Sequence, residues 1–394
     1  MRTMHSRRIR SDHKTPLNYE IDARSPLCKN FWMQLSFTGM QQADVDAPEG
    51  ADNALTGIRR RCADSSHLSV AELSEQAGRY LQSAHAESTL RCYQRDWSQF
   101  EQFCQRRSLQ AMPCAPQTLA LYLTSLAADA RATSSIRRAR MAISKLHQRQ
   151  GFPRPDQAAC VRDVERGIRR RHGTAQKQAR PVLLRELQKM LAALGESPVA
   201  LRDRALLLIG FAGGFRRAEL VAMDVDDVTR SDQGLLVRLL RSKADRWGKG
   251  EYTALPCSAH AGRCPAQALD RYLGALRADL RRRYIGRGAA ASPTGSLFRA
   301  ADLGRARETL SERRLGSDTV GQIVRRAAAA AGLQDPEQYS SHSLRAGLAT
   351  SAYLAGASLE QIQRQGRWSS QAAMMRYVRV AADFGPRNAA AQLL

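Results

Sequence analysis

The eleven residues from Ala205 to Phe215, ALLLIGFAGGF, carry no polar or charged side chain. A helix at a surface needs a polar face. A run this short also falls well under the roughly 20 residues that span a bilayer. The segment must therefore cross the interior of a folded domain. A chain of 394 residues is long enough for two or three domains, so the core around this helix has company.

Residues 1–66 contain ten Lys/Arg and eight Asp/Glu, few apolar residues and no sustained period, which is the composition of a disordered tail. From about His67 the pattern turns to amphipathic helices. Ser88 can cap a helix whose Leu90, Tyr93, Trp97, Phe100 and Cys104 recur at three- and four-residue steps. Pro116 opens a second helix, burying Leu119, Tyr122, Leu123 and Leu126. Two more, Thr133 to Gln150 and Asp156 to Arg171, bury Ile136, Ala139, Ile143, Leu146, Val161, Val164 and Ile168, and Gly173 stops the last. Residues 174–181 are small, polar and basic, the chemistry of a linker. The expected organisation is a helical domain over 67–173, that linker, and a second domain over 182–394. Within the second, Gly234 to Leu240 and Glu251 to Leu255 alternate like the arms of a β-hairpin. The fold class expected is mainly α: an all-helical N-terminal bundle and a mostly helical second domain with a small antiparallel sheet.

The formal net charge of +24 draws polyanions, DNA or RNA above all. Between Arg131 and Arg171 stand twelve Lys/Arg against three Asp/Glu. A solvated surface is the ordinary reading of a charge run, yet an excess of nine outruns surface pairing. The imbalance predicts a cationic face for phosphates, with Arg137, Arg138, Arg140 and Lys145 as its candidates. The basic N-terminus has no apolar segment behind it, so no secretory signal is expected, and no membrane partner either. Eight scattered cysteines read as reduced thiols inside a cell. Cys257, His260 and Cys264 lack a fourth ligand at suitable spacing, so no metal is expected.

Four patches carry chemistry. GGFRRAEL places Arg216 in a turn after the apolar helix, with Glu219 three residues on to brace a neighbour. RSKADRWGKG puts Lys243 and Lys249 on the turn between the two strands. HSLR holds His342 and Arg345 one helical turn apart. GRWSSQAAMMRY holds Trp368 and Tyr377, nine residues apart. Singly, each has a plain alternative: surface arginines, an idle turn lysine, packed aromatics. Jointly they supply what phosphodiester transfer needs without metal or ATP. Two guanidinium forks hold a phosphate and offset its growing charge. A tyrosine attacks, a lysine protonates the departing oxygen, and a histidine handles the tyrosine's proton.

In that order and spacing the patches resemble the tyrosine recombinase, or phage-integrase, family, over about residues 70 to 394. The resemblance implies Tyr377 as nucleophile, Arg216, Arg345, His342, Lys243 and Trp368 as catalytic partners, and Glu219 as a supporting acid. Lys243 is favoured over Lys249 because it follows the first strand, as the family's lysine does. Two positions depart from the pattern of many relatives, which have His where Ala346 follows Arg345 and His where Trp368 stands. Tryptophan occurs there in the Cre-like branch, and its indole N–H can still donate to a phosphate oxygen.

The resemblance further implies a 3′-phosphotyrosine intermediate and two strand exchanges through a Holliday junction. It implies double-stranded DNA with recombination sites as substrate, a homotetramer on that DNA, room for accessory DNA-bending proteins, no cofactor, and a cytoplasmic, nucleoid-associated enzyme. Residues 378–394 could form a short helix docking on a neighbouring subunit or on their own domain. A type IB topoisomerase-like nicking and closing enzyme shares this chemistry. A DNA-binding protein that has lost the chemistry is the reading from another class, and the intact Arg216, His342, Arg345 and Tyr377 stand against it.

Overall fold

The computed structural model describes residues 69–83, 87–175, 178–240, 250–283, 293–303 and 308–378. The expected tail, the residues from 379 onward, and both Lys243 and Lys249 lie outside the described residues. The chain divides into two compact units, 1–176 and 177–394.

The first unit is helical: α1 Val70–Ser83, α2 Glu87–Gln105, α3 Pro116–Ala128, α4 Thr133–Arg149 and α5 Ala159–His172. Their apolar stripes meet in one core of Trp97, Phe100, Cys104, Leu119, Tyr122, Leu123, Ile136, Ile143, Leu146, Val161 and Ile168. Tyr122 is the aromatic hub, with Phe100 and Phe103 centred 5.2 and 5.1 Å from it. Pro116 occupies the first turn of α3, where no N–H is needed. His147, fully buried, ties α4 to the loop before α3. Its Nε2 accepts the Cys114 N–H at 3.0 Å, and its Nδ1 lies 2.9 Å from the Ile143 carbonyl. Those partners assign a neutral ring with the proton on Nδ1.

The cationic face is less free than the charge count suggests. Arg138 forks onto Asp96 with 2.7 and 3.0 Å bonds, and Asp96 is 3% exposed. Arg140 lies 3.1 Å from both Asp156 and Glu165. These two arginines staple helices together. Arg137 is exposed, and Lys145 stands 5.6 Å from the Tyr93 ring centre.

The second unit contains α6 Leu184–Ala192, α7 Pro198–Ala212, α8 Arg217–Ala222, α9 Pro265–Arg283, α10 Ser317–Ala330, α11 Ser341–Leu354, α12 Leu359–Gly366 and α13 Gln371–Met375. The apolar helix is α7. Ala205 to Ile209 are buried without a break, and α9 and α11 pack against it. It starts at Pro198, ahead of the apolar run from Ala205, because Ser197 caps it, accepting the Ala200 N–H at 3.2 Å, and Pro198 opens the first turn.

Strands β1 Val228–Ser231, β2 Gly234–Leu239 and β3 Glu251–Pro256 form an antiparallel sheet in sequence order. Gly234 pairs with Pro256 and Leu239 with Glu251, so the anticipated hairpin is the β2–β3 pair. A second, two-stranded sheet, β4 Arg299–Leu303 with β5 Glu308–Arg314, was not legible in the pattern. The strand-like segment entering α6 is sewn to the start of α11. The Val182 N–H donates to Ser343 O at 2.9 Å and the Arg180 N–H to Gln338 O at 3.1 Å. A side chain at Gly347 would meet the Val182 carbonyl at 2.0 Å, so only glycine lets the two backbones approach.

Candidate active site

Three chain turns converge at one end of α7. The first is Gly213 to Arg216. Gly214 has φ +54, and a Cβ there would strike Leu348 Cδ2 at 2.7 Å, so the turn requires glycine twice over. The turn hands Arg216 to the N-terminus of α8. Glu219 closes that terminus: its Oε2 accepts the Arg216 backbone N–H at 2.9 Å, and its Oε1 accepts Arg216 Nη1 at 2.5 Å. Burial alone would raise the Glu219 carboxyl. The Arg216 amide and guanidinium, with the charge of Arg367, outweigh burial and hold it below the usual carboxylate range.

The second turn is the start of α11. Ser340 caps it, accepting the His342 N–H at 3.1 Å, while Ser343 Oγ returns a bond to the Ser340 N–H at 2.8 Å. His342 is exposed on the first turn. Arg345, one turn later, is 1% exposed. Its Nη1 donates to the Gly214 carbonyl, which fastens α11 to the glycine turn. Its Nε and Nη2 are buried without an acceptor among the described residues. Burial, and next the charge of Arg216, push the Arg345 guanidinium down to about 10, so it stays charged at neutral pH.

The third turn runs from the end of α12 through α13. Trp368 is 6% exposed and its indole Nε1 also lacks an acceptor among the described residues. Its ring centre lies 4.1 Å from Arg345 Cζ and 5.4 Å from the Tyr377 ring centre. Tyr377 follows α13, half-buried, with its own ring 5.6 Å from Arg345 Cζ. Thr350 Oγ1 donates to the Tyr377 carbonyl at 3.1 Å, so α11 also fixes the backbone that presents the phenol.

Arg216, Glu219, Arg345, Trp368 and Tyr377 are thus brought together, with His342 on the same helix as Arg345. Lys243 and Lys249 lie outside the described residues, and β3, which follows them in sequence, accepts a bond from Arg367 through Thr253 Oγ1. Among the described residues no three His, Cys, Asp or Glu side chains gather to hold a metal, and no helix is long and apolar enough to cross a membrane. Sequence reasoning missed Arg367, buried between the first and third turns. A Gly-Arg-Trp step after a polar helix reads as surface charge, and only its left-handed backbone marks it out.

Arranged this way, the site offers unpaired donors from a charged guanidinium and an indole beside a phenol. Such donors suit the non-bridging oxygens of a phosphate in low dielectric.

The sequence matches the phage integrase family over residues 182–383 and the N-terminal SAM-like domain of phage integrases over 78–149. It is 34% identical to an integrase/recombinase XerD homolog of Selenomonas ruminantium across 78% of this chain and 85% of that protein. It is 26% identical to the recombinase Cre of Escherichia phage P1, across 72% and 81% respectively. Among solved structures, the site-specific recombinase XerH bound to its difH substrate aligns with a TM-score of 0.52 at 16% identity, covering 79% of this chain and 84% of that one. That last likeness speaks for the fold.

Proposed function

The chain belongs to the phage integrase family, and from that premise we propose that it is a site-specific recombinase that cuts and rejoins double-stranded DNA through a covalent 3′-phosphotyrosine. The observation that carries the reading is the state of Arg345: a buried, charged guanidinium with two nitrogens lacking an acceptor among the described residues, stacked on Trp368 and adjacent to Tyr377. Leaving such donors unsatisfied costs about 1–3 kcal/mol or more, a cost that a bound phosphate recovers.

In the proposed reaction the Tyr377 oxygen attacks a backbone phosphorus. The phenol proton passes to His342, the new P–O bond forms to Tyr377, and the bond to the 5′ oxygen breaks. Lys243, which falls between β2 and β3 in the sequence, protonates that leaving oxygen. Arg216, Arg345 and the Trp368 N–H hold the non-bridging oxygens while charge builds on them. The freed 5′-hydroxyl of a partner strand then attacks the phosphotyrosine: its proton goes to Lys243, the bond from phosphorus to Tyr377 breaks, and His342 hands its proton back to the departing phenolate. One phosphodiester replaces another, so no ATP is consumed. Two such exchanges pass through a Holliday junction within a tetramer of this chain.

Arg137, Arg169, Arg170 and Arg171 support the first unit as a backbone-contacting clamp, since all four are exposed. The test is to incubate the protein with nicked fragments of the DNA flanking its gene and look for a protein–DNA adduct. The expected adduct maps to Tyr377 and vanishes in Tyr377→Phe, which still binds DNA in a salt-sensitive way. No adduct, or one at another residue, overturns the reading. Relaxation of supercoiled DNA without any defined site would instead assign the topoisomerase-like activity.

A further inference from the structure

Between Gly366 and Trp368 stands Arg367, 9% exposed, with φ 55 and ψ 47. A non-glycine residue in this left-handed region costs on the order of 1 kcal/mol. The chain holds an arginine there, and the side chain accounts for it. Its Nη2 donates to Glu219 Oε2 at 3.1 Å. Its Nη1 donates to Thr253 Oγ1 at 2.7 Å and to the Gly213 carbonyl at 3.1 Å. Its Cζ lies 4.6 Å from the Phe215 ring centre, and its Nε lies 4.0 Å from Glu251 Oε2. Both terminal guanidinium nitrogens of Arg367 are therefore occupied, whereas Arg345 keeps Nε and Nη2 without an acceptor among the described residues.

The Glu219 carboxylate sits between two guanidiniums. Arg367 approaches it from the interior with 6% side-chain exposure, and Arg216 from the site with 24%. Arg216 bonds it through one guanidinium nitrogen only, Nη1. A buried carboxylate that loses one cation draws the other into a two-pronged fork, the stronger geometry. Without Arg367, the Arg216 guanidinium would turn inward to Glu219 and away from a phosphate.

We propose that Arg367 is a positioning residue for strand cleavage: it occupies the inner side of Glu219 so that Arg216 stays directed at the phosphate, and through Thr253 it ties β3 to the turn that carries Trp368. The proposal rests on Arg216 acting as a phosphate clamp. It does not follow from Arg367 touching DNA.

The test compares Arg367→Gly, Arg367→Lys, Glu219→Gln and the Arg367→Gly/Glu219→Gln pair with the wild-type chain, on the fragments that yield the adduct. Glycine suits the backbone here, so Arg367→Gly removes the guanidinium and relieves the strained φ. Adduct formation is followed in single turnover at saturating protein, DNA affinity by gel shift, and folding by thermal melting. Arg367→Gly should slow adduct formation by roughly a hundredfold, the scale of a displaced catalytic group, while DNA affinity stays near wild type. Arg367→Lys should recover part of the rate, and millimolar methylguanidinium part of it in Arg367→Gly. The double variant should lose no more than the worse single. A wild-type adduct with Arg367→Gly cleaving normally overturns this proposal alone. So do additive losses in the double variant, or a rate that falls only in step with melting and affinity. Absence of any wild-type adduct overturns the strand-cleavage reading and this proposal with it.

Discussion

Arg345 Cζ lies 4.1 Å from the centre of the Trp368 indole, and the two side chains are 1% and 6% exposed. A cation held over an aromatic face away from water gains about 2 kcal/mol. The indole thus keeps the guanidinium in place without consuming its donors, and adds a donor of its own through Nε1. Trp368→Phe retains the stack and removes the N–H. We expect its melting temperature to stay near wild type, while adduct formation slows by at least about tenfold, since a hydrogen bond to a charged acceptor is worth about 1.5–3 kcal/mol. Trp368→Ala should also destabilise the domain by about 3 kcal/mol or more, read by denaturant unfolding.

Arg345 separates stability from function. It is a buried cation whose pKa is lowered by burial and next by the like charge of Arg216. Arg345→Met replaces it with an apolar side chain of similar reach. Such replacements of buried ions are often neutral or stabilising. Thermal melting should show Arg345→Met at least as stable as wild type, and adduct formation should be lost.

The basic helices make two distinct predictions. Arg138→Ala leaves Asp96 buried and unpaired, so the first unit should lose about 3 kcal/mol in denaturant unfolding. Arg137→Ala should leave unfolding untouched and flatten the dependence of log affinity on log salt by about 0.9, the share of one phosphate contact. DNA titrations at several salt concentrations check the second.

His147 gives the first unit a pH limit. Burial, opposed only by the bond to Ile143, holds its pKa below the ordinary value. A base whose folded pKa is depressed binds fewer protons folded than unfolded below about pH 6.5. Stability is therefore full above that pH and declines as pH falls through the folded value. Melting of the intact chain from pH 7.5 to 5 should show the transition of the first unit moving down. His147→Gln, which cannot take the second proton, should flatten that slope from a lower starting stability.

Much of this was legible in the sequence because the signals were local. The apolar helix, the β2–β3 hairpin and the glycine turn each declare themselves within about ten residues. What stayed hidden depends on pairs far apart in the chain. Arg138 read as a free cation because its partner, Asp96, lies 42 residues earlier, outside the basic stretch. Arg367 was passed over because its partner Glu219 lies 148 residues away. The β4–β5 sheet was missed because its strands, RAADL and ETLSERR, are rich in charge and lack clean alternation. Helix α9 begins at Pro265, where a proline that reads as a breaker serves as a first-turn residue.

The stitching of residues 180–182 onto α11 bears on how the second unit would respond to load. Arg180 and Val182 hang from the carbonyls of Gln338 and Ser343, which bracket His342, and the Gly347 backbone lies against Val182. The incoming chain is thus a drawstring knotted to the helix of His342 and Arg345. Tension on the polypeptide entering at residue 178 would load the backbone on either side of His342, through those two bonds, before it reaches α6.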